Sequence, residues 1–286
     1  NVTLLNAALQ GLGQRTIDAF ADALKESGVH APFYLTQNDG TVVLAEVAAA
    51  NPVYSFASGP TNSMRGAAFL TGLKEAMVVD VGGTTSDIGC LVGGFPREAN
   101  NVVEVGGVRT LFRMPDLLPM ALGGGTIIDL EKGTIGPRSV GYRITSEALV
   151  FGGSTLTTTD VAVAAGLIEI GDRDRVKHLD QSTVSTLLKR IEKMVEDSVD
   201  RMKTSADGVQ LIAVGGGSFL IPEKLAGVSE VLRVEHAGVA NALGAAMAQV
   251  SGEVDQVCSD LSRDAAIAEA EKLAKERGIE AGAQPG

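Results

Sequence analysis

Hydrophobic and polar positions follow a helical period at both ends of the chain and shorter, strand-like runs in between. The first 28 residues place apolar side chains on one helical face: Leu5, Leu9, Leu12, Ile17, Phe20 and Leu24. A second stripe predicts an amphipathic helix within residues 182–203, formed by Leu187, Ile191, Met194, Val195 and Val199. Residues 253–286 are rich in charge and predict a C-terminal helix followed by a tail that contains Gly and Pro.

Shorter apolar runs predict the strands. Two runs that flank the turn sequence at 38–40 are typical of a β-hairpin. The runs 76–79 and 88–92 enclose a polar turn, and a third buried run, 211–214, ends in glycines. Between 93 and 153 the abundance of Gly, Val and Ile predicts antiparallel ribbons. Strand pairs followed by strand–helix units predict an α/β fold with a mixed β-sheet flanked by helices.

Three more helices are predicted from start signals and small residues. One runs from about Thr61 to Leu73, after a Gly-Pro pair. Another begins near Thr159, with Asp160 as its N-cap, and continues through Ile170. The third covers about 237–252, where repeated Ala and Gly indicate close helix packing.

Composition narrows the function classes. With 286 residues and 45% hydrophobic content, the chain can bury a substantial core. A net charge of -11 and the absence of Trp disfavour nucleic acid and anionic membranes as partners. Cys90 and Cys258 lie far apart in sequence, which indicates a reduced, cytoplasmic protein without a cysteine metal site.

The turn between the runs 76–79 and 88–92 carries chemistry. It reads Asp80-Val81-Gly82-Gly83-Thr84-Thr85-Ser86-Asp87. Its glycines let backbone N–H groups converge on an anion, and its hydroxyls add donors to phosphoryl oxygens. Its two carboxylates would repel a bare phosphate but suit Mg²⁺, which prefers oxygen ligands. A hairpin whose Thr and Asp side chains serve only its own backbone explains the same residues, and this turn alone leaves both interpretations open.

A second glycine turn follows the run 211–214. Gly215, Gly216 and Gly217 would let a flat adenine or ribose approach the backbone, and Ser218 would begin a helix. A glycine triplet by itself is a weak signal. Together, the two turns look like the phosphate and nucleoside ends of one cleft. Other glycine pairs, such as Gly106-Gly107, are explained by backbone geometry.

Four segments resemble the hydantoinase A / 5-oxoprolinase family: SGPTNSMRGAAFL, VVDVGGTTSDIG, AVGGGSFLIP and HAGVANALGAAMA. That family belongs to the superfamily of actin, sugar kinases and heat-shock chaperone ATPases, in which two ribonuclease-H-like domains clamp ATP. The resemblance implies a ribonuclease-H-like (actin-like ATPase) domain over residues 1–252, with a β-rich insertion at about 93–153. Residues 253–286 would then form a separate charged helix and tail.

The resemblance also implies an activity and a set of site residues. The activity is ATP-dependent opening of a cyclic amide, a hydantoin or 5-oxoproline type, after the lactam carbonyl oxygen takes the γ-phosphoryl group. Asp80 and Asp87 would be catalytic, with Asp80 also orienting Mg²⁺. The nucleotide would contact the two turns, through Gly82, Gly83, Thr84 and Thr85 and through Gly215, Gly216, Gly217 and Ser218.

The family also has an earlier phosphate loop of the Asp-Gly-Gly-Thr type, and no such loop precedes Asp80 in this sequence. This difference predicts that the chain is the second half of the ATPase, inactive alone. Its partners would be the missing N-terminal domain, a small cyclic amide and a possible second subunit. Two alternatives stay open: a nucleotide-binding assembly or reactivation module without hydrolase activity, and a decayed site.

The remaining charged residues give weaker signals. His30, His178 and His236 lack metal-ligand spacing. His178 is explained as a solvated loop residue, and His236 as a structural hydrogen-bond donor at a helix start. Arg65 precedes the phosphate-type turn, where a salt bridge explains it better than a phosphate contact.

Overall fold

A computed structural model describes residues 1–99, 103–105, 108–110 and 114–284. The backbone divides into two compact units. Unit 1 comprises Asn1–Thr61, Ala99–Met114 and Ala245–Gly286, and unit 2 comprises Asn62–Glu98 and Pro115–Gly244. The sequence-based domain boundary at residue 252 stays a prediction.

The helices have the following bounds: α1 Val2–Glu26, α2 Ala45–Ala50, α3 Ser58–Thr71, α4 Ile144–Glu147, α5 Thr158–Ala165, α6 Gln181–Met202, α7 Ala240–Met247 and α8 Arg263–Glu280. Short 3-10 helices lie at Pro52–Ser55, Gly141–Arg143, Leu149–Phe151, Arg173–Val176, Ser218–Leu220 and Ala237–Val239.

The strands have the following bounds: β1 Tyr34–Thr36, β2 Val42–Leu44, β3 Ala76–Val81, β4 Ser86–Val92, β5 Phe95–Pro96, β6 Val103–Val105, β7 Val108–Thr110, β8 Leu117–Met120, β9 Thr126–Asp129, β10 Thr134–Ser139, β11 Val209–Val214 and β12 Val228–Arg233. The pairs β1–β2, β6–β7 and β9–β10 are antiparallel ribbons. Gly106 and Gly107 lie outside the described residues.

The main sheet belongs to unit 2 and is mixed. Its strands follow the order β12-β11-β3-β4-β5, and β8 also pairs with β4. β11 runs parallel to β12 and to β3, whereas β3 and β4 form an antiparallel hairpin. β3 is therefore a central strand. This explains why it reads as the apolar run Ala76–Val79 before its polarity changes at Asp80.

Helices cover both faces of this sheet. On one face, α6 packs Ile191, Val195 and Val199 against Val79 and other apolar residues of β3 and β11. On the opposite face, α3 and α7 pack Met64, Ala67 and Ala240 against the next residues along the strands, including Val78. Alternate strand residues therefore serve opposite cores, as the two-residue period of a strand requires. The apolar stripe predicted for residues 182–203 is confirmed as the buried face of α6.

Unit 1 has its own small core. Ile17 of α1 packs with Val43 of β2 and with the alanines of α2, and Ala281 completes the cluster. Small side chains in the AEVAAA sequence of α2 allow close approach. Much of α1 remains exposed, including Leu4, Leu12 and Phe20. Among the described residues, no helix is both long enough and apolar enough to cross a membrane.

Three of the predicted helices differ in their bounds. α3 runs from Ser58 to Thr71 rather than from about Thr61 to Leu73. α5 begins at Thr158 because Thr157, not Asp160, is its N-cap; Asp160 is the third helical residue and completes a capping box with Thr157. The helix ends at Gly166, which adopts a left-handed conformation, so the apolar residues that follow it are not helical. The predicted helix over 237–252 is shorter, a 3-10 turn followed by α7.

Candidate functional site

The main sheet brings the two predicted glycine turns to one edge. β3 and β11 are parallel neighbours, with Asp80 opposite Val214. The carboxyl ends of parallel strands meet at the same edge of a sheet, so the turns that follow them lie side by side. The backbone N–H of Gly217 donates to the carbonyl oxygen of Val81 at 2.8 Å, which joins the turns directly.

Asp80 and Asp87 form a pair of neighbouring carboxylates. They are cross-strand partners in the β3–β4 hairpin, so they lie on the same face of the sheet. Burial raises the pKa of Asp80, and a hydrogen bond from the Ser63 hydroxyl opposes this shift. Burial, and then the negative charge of Asp80, raises the pKa of Asp87 to about 6. A bound cation would relieve both effects.

Two glycines of the second turn are required by packing. Gly215 has a φ of 88°, which favours glycine. A Cβ added there would lie 2.4 Å from the carbonyl oxygen of Val81 and 2.5 Å from Oδ1 of Asp80. A Cβ on Gly217 would lie 2.7 Å from Cγ1 of Val81. The second turn thus contacts the end of β3 at van der Waals distance.

Packing does not explain Gly83 and Gly216 in the same way. A Cβ added at either position would meet no atom of the described residues within 4 Å, and neither glycine has a positive φ. Both are exposed, one in each turn. An absent side chain at these two positions leaves room for another molecule to approach the backbone closely, which is the property that a nucleotide site needs.

The first turn is polarised. The carbonyl oxygen of Gly82 accepts from the N–H of Gly124 at 3.0 Å, and that of Gly83 accepts from the N–H of Gly125 at 2.7 Å. By contrast, no acceptor for the N–H groups of Gly83 and Thr84 is found among the residues that the structure describes. The carbonyls are held and the N–H groups are available, as in a backbone nest for an anion.

Three glycines that the sequence analysis did not single out, Gly123 to Gly125, hold this turn. We call residues 122–125 the strap. A Cβ on Gly123 would lie 2.7 Å from the backbone nitrogen of Thr84, so only glycine allows the contact. In the sequence, the strap is recognisable only as a third glycine triplet. Its role depends on its contact with the first turn, which lies about 40 residues earlier in the chain.

Buried hydroxyl groups fix the strap in turn. The Thr159 hydroxyl donates to the carbonyl oxygen of Gly124 at 2.7 Å, and the Thr158 hydroxyl lies 2.9 Å from the same oxygen. On the other side, the Ser86 hydroxyl donates to the carbonyl oxygen of Leu122 at 2.5 Å. All three hydroxyl-bearing residues are buried. Buried polar groups with satisfied hydrogen bonds make a rigid support.

The other predicted nucleotide contacts lie at this edge too. Thr84 and Thr85 are exposed at the tip of the first turn. Ser218 is half-buried and begins a 3-10 turn rather than the longer helix expected from the sequence; its N–H donates to the carbonyl oxygen of Gly215 at 3.2 Å. The structure therefore brings every predicted site residue to one sheet edge.

Asp160 and Arg65 serve the fold. Asp160 is fully buried, and its carboxylate accepts from the N–H groups of Val150 and Thr157 at 2.8 and 2.7 Å. The guanidinium of Arg65 lies 3.8 Å from the ring centroid of Phe95 and donates to the carbonyl oxygen of Gly94. The expected salt bridge of Arg65 is wrong, since no ion pair with it exists among the described residues.

The histidines give no metal site. His178 is exposed in a turn, as expected. His236 precedes the 3-10 turn before α7 with a φ of 65° and is exposed beside Glu235. In the part of the chain that the structure describes, no group of three or more His, Cys, Asp or Glu side chains is arranged to bind a metal. Any metal at the site would therefore depend on the Asp80–Asp87 pair and on ligands from elsewhere.

The strand order, the helix layers and the paired turns place the chain in the actin-like ATPase fold class, as predicted. The chain belongs to the hydantoinase/oxoprolinase family, whose model matches residues 1–172. A relative from Methanocaldococcus jannaschii, the uncharacterized protein MJ0964, is 24% identical over 220 residues, which cover 69% of this chain and 32% of that protein.

Two solved structures share the fold. Nucleotide-free acetone carboxylase, described with a mechanism of ATP-dependent acetone carboxylation, matches with a TM-score of 0.71 and 18% identity over 93% of this chain. The ATP-dependent caprolactamase from Pseudomonas jessenii matches with a TM-score of 0.69 and 22% identity over 98% of this chain. The chain spans 43% and 46% of these two proteins, so it corresponds to less than half of each.

Proposed function

We propose that this chain forms one wall of the ATP site in an enzyme that opens a cyclic amide, of the hydantoin or 5-oxoproline type, at the expense of ATP. The observation that carries the proposal is the meeting of a polarised, strapped turn with a glycine turn beside the Asp80–Asp87 pair. Family membership and the ATP-dependent structural neighbours support it.

Each turn would have a distinct role. The available N–H groups of Gly83 and Thr84, with the exposed hydroxyls of Thr84 and Thr85, would bind the β- and γ-phosphates together with Gly82. The open backbone at Gly216, flanked by Gly215, Gly217 and Ser218, would contact the nucleoside. Of these groups, the N–H groups of Gly83 and Thr84 and the backbone at Gly216 are the ones that the described residues leave open.

The carboxylates suit a magnesium ion. Asp80 and Asp87 face the same side of the hairpin, and burial raises the pKa of both, so a cation beside them would stabilise their ionised forms. Magnesium prefers carboxylate oxygens and keeps several water ligands, so two carboxylates are a sufficient protein contribution. When bound, the ion would neutralise phosphate charge. Asp80 would orient it or the attacking oxygen, and Asp87 would assist.

Catalysis of phosphoryl transfer is mainly positioning and charge neutralisation, which agrees with a site made of backbone N–H groups and carboxylates. Transfer of the γ-phosphoryl group from ATP to the lactam carbonyl oxygen would release ADP and activate the ring carbon. Addition of water to that carbon and cleavage of the C–N bond would open the ring to an acyl phosphate, which a second water would hydrolyse to the carboxylate and phosphate. We propose the cytoplasm as the location. The other wall of the cleft would come from an N-terminal domain of the same protein, and a second subunit could take part in the reaction.

Calorimetric titration with Mg-ATP, Mg-ADP and metal-free ATP tests the proposal, first with this chain and then with the complete protein that contains it. We expect binding that requires magnesium, weaker in the isolated chain because one wall lacks the opposing phosphate contacts. Asp80→Ala should abolish the magnesium dependence, and Gly216→Val should weaken nucleotide binding. Neither change should lower the thermal unfolding midpoint greatly.

Matched controls separate the site from general effects. Asp129→Ala removes a half-buried carboxylate that pairs with Lys132 in another part of the sequence. Gly11→Ala alters a glycine of α1 at which an added Cβ would lie 3.8 Å from the end of the Arg15 side chain. Both should leave binding unchanged. If the complete Asp80→Ala protein hydrolysed ATP normally, the assignment would be wrong; magnesium-dependent binding without amide-dependent hydrolysis would instead favour a nucleotide-binding module.

A further inference from the structure

A pair of polar side chains connects the Asp80 carboxylate to two helices. Ser63 of α3 is 1% exposed, and its hydroxyl donates a hydrogen bond to Asp80. The side-chain amide of Asn241 in α7 donates to the same hydroxyl oxygen, with Nδ2 and Oγ 3.2 Å apart. Ser63 is buried, whereas Asn241 is exposed.

The order of donors fixes the direction of the Ser63 proton. A serine hydroxyl has one proton to donate, whereas its oxygen can accept from other groups. Asn241 supplies the donor to Oγ, so the hydroxyl proton of Ser63 is free to point at the carboxylate of Asp80. A hydrogen bond to a charged acceptor is about twice as strong as one between neutral groups. The hydroxyl therefore restrains the orientation of the carboxylate.

Two glycines allow the helices to come close enough for this contact. A Cβ on Gly66 of α3 would lie 1.9 Å from the carbonyl oxygen of Ala240. A Cβ on Gly244 of α7 would lie 1.9 Å from the carbonyl oxygen of Asn62. The backbones of α3 and α7 are thus in direct contact on both sides of the Ser63–Asn241 pair, and the pair has little freedom to separate.

A third contact limits the carboxylate from the other side. The Cα of Gly215 lies against Oδ1 of Asp80, since an added Cβ would be 2.5 Å from that atom. Ser63 holds the carboxylate from α3 while the second turn blocks rotation towards β11. The side chain of Asp80 is therefore held by groups from two separate segments of the sequence, α3 and the second turn.

We propose that Ser63 is a positioning residue that orients the Asp80 carboxylate for the metal–nucleotide complex, and that Asn241 acts through Ser63. This inference rests on the proposed function of the site. It assigns a task to the SGPTNSMRGAAFL and HAGVANALGAAMA segments, which the family resemblance marks. The contact between α3 and α7 would thus determine how well the site binds the ion.

The test measures magnesium affinity in the complete protein saturated with ADP, by calorimetric titration of MgCl₂, for the wild type, Ser63→Ala, Asn241→Ala and the double variant. We expect Ser63→Ala to weaken magnesium binding about tenfold to a hundredfold, the range for loss of a hydrogen bond to a charged group. Asn241→Ala should weaken it less. In the Ser63→Ala background, Asn241→Ala should have no further effect, because its influence passes through the missing hydroxyl.

Two more variants separate positioning from general stability. Ser198→Ala removes another buried hydroxyl of unit 2, which donates to the carbonyl oxygen of Met194 within α6. It should change the unfolding midpoint as much as Ser63→Ala does, without changing magnesium affinity. Ser63→Thr keeps the hydroxyl and should restore most of the affinity that Ser63→Ala loses.

The outcomes are distinct. Equal magnesium affinity in the wild type and Ser63→Ala would overturn the positioning role while leaving the proposed function intact. Additive effects of Ser63→Ala and Asn241→Ala would overturn the claim that Asn241 acts through Ser63. Absence of magnesium-dependent nucleotide binding in the wild type would refute the proposed function, and this inference with it.

Discussion

Asp87→Asn should raise the free energy of unfolding of the protein and impair its proposed magnesium site. The Asp87 carboxylate is half-buried, lies opposite Asp80 and has its pKa raised from 3.8 to about 6. The native state therefore holds the proton of Asp87 more tightly than the unfolded state does. The stability contributed by this carboxyl group is fully present below pH 3.8 and is lost as the pH rises through 6.

The size of the effect follows from the shift. A difference of about two pKa units corresponds to about 3 kcal/mol at full value, and solvent screening of this half-buried group reduces it to about 1 to 2 kcal/mol. Asparagine has nearly the shape of the neutral acid and cannot ionise. Asp87→Asn should therefore raise the free energy of unfolding by about 1 to 2 kcal/mol above pH 6, with little gain near pH 4.

Urea unfolding of the wild type and Asp87→Asn at pH 7.5 and pH 4.5, without metal or nucleotide, measures this difference. The control is Asp129→Asn, because hydrogen bonds from Lys132 lower the pKa of Asp129 and no gain is expected at pH 7.5. In magnesium and ADP, the advantage of Asp87→Asn should shrink, since only the wild type keeps both carboxylates. An Asp87→Asn protein less stable than the wild type at pH 7.5, or equally stabilised at both pH values, would refute the reasoning.

Three other predictions concern the stability of the fold. Gly215→Ala places a Cβ 2.4 Å from the carbonyl oxygen of Val81 at a positive φ, and urea unfolding should show a loss of about 2 to 3 kcal/mol. Asp160→Ala leaves the buried donors of its capping box without an acceptor, which should lower the free energy of unfolding by about 3 kcal/mol, with a smaller loss for Asp160→Asn. Hydrogen bonds, first from Ser182, hold the pKa of Asp180 well below its usual range. The stability that this carboxylate contributes is therefore present above pH 3.8 and is lost as the pH falls. Thermal unfolding should show a smaller stability difference between the wild type and Asp180→Ala in acid than at neutral pH.

The sequence predicted the parts of the fold that local pattern determines. The stripe on α6 and the apolar runs of β3 and β11 are strong signals because burial on one or both faces leaves a simple period. The turn at 38–40 and the β3–β4 hairpin were recognisable from their turn residues. Helix ends were predicted less well: the start of α5 depends on which of several hydroxyl and carboxylate residues caps it.

The candidate site was predicted in part for a similar reason. Both glycine turns follow buried strands, and the pairing of β3 with β11 brings them together. The strap could not be assigned from the sequence, because its contact with the first turn depends on tertiary packing between distant segments. Arg65 was assigned a salt bridge because charge pairing is the usual expectation, whereas the fold offers it the ring of Phe95.

The strap also determines what would have to be moved to rebuild this turn in another protein. A graft of residues 80–87 alone would carry the N–H donors of the turn but not the N–H groups of Gly124 and Gly125 that bind its carbonyl oxygens. Without those partners, the peptide planes of the turn could rotate and point the N–H groups away from an anion. The smallest portable piece includes the hairpin, residues 122–125 and the buried threonines at the start of α5. Its short sequence motif is therefore a poor measure of the module's physical size.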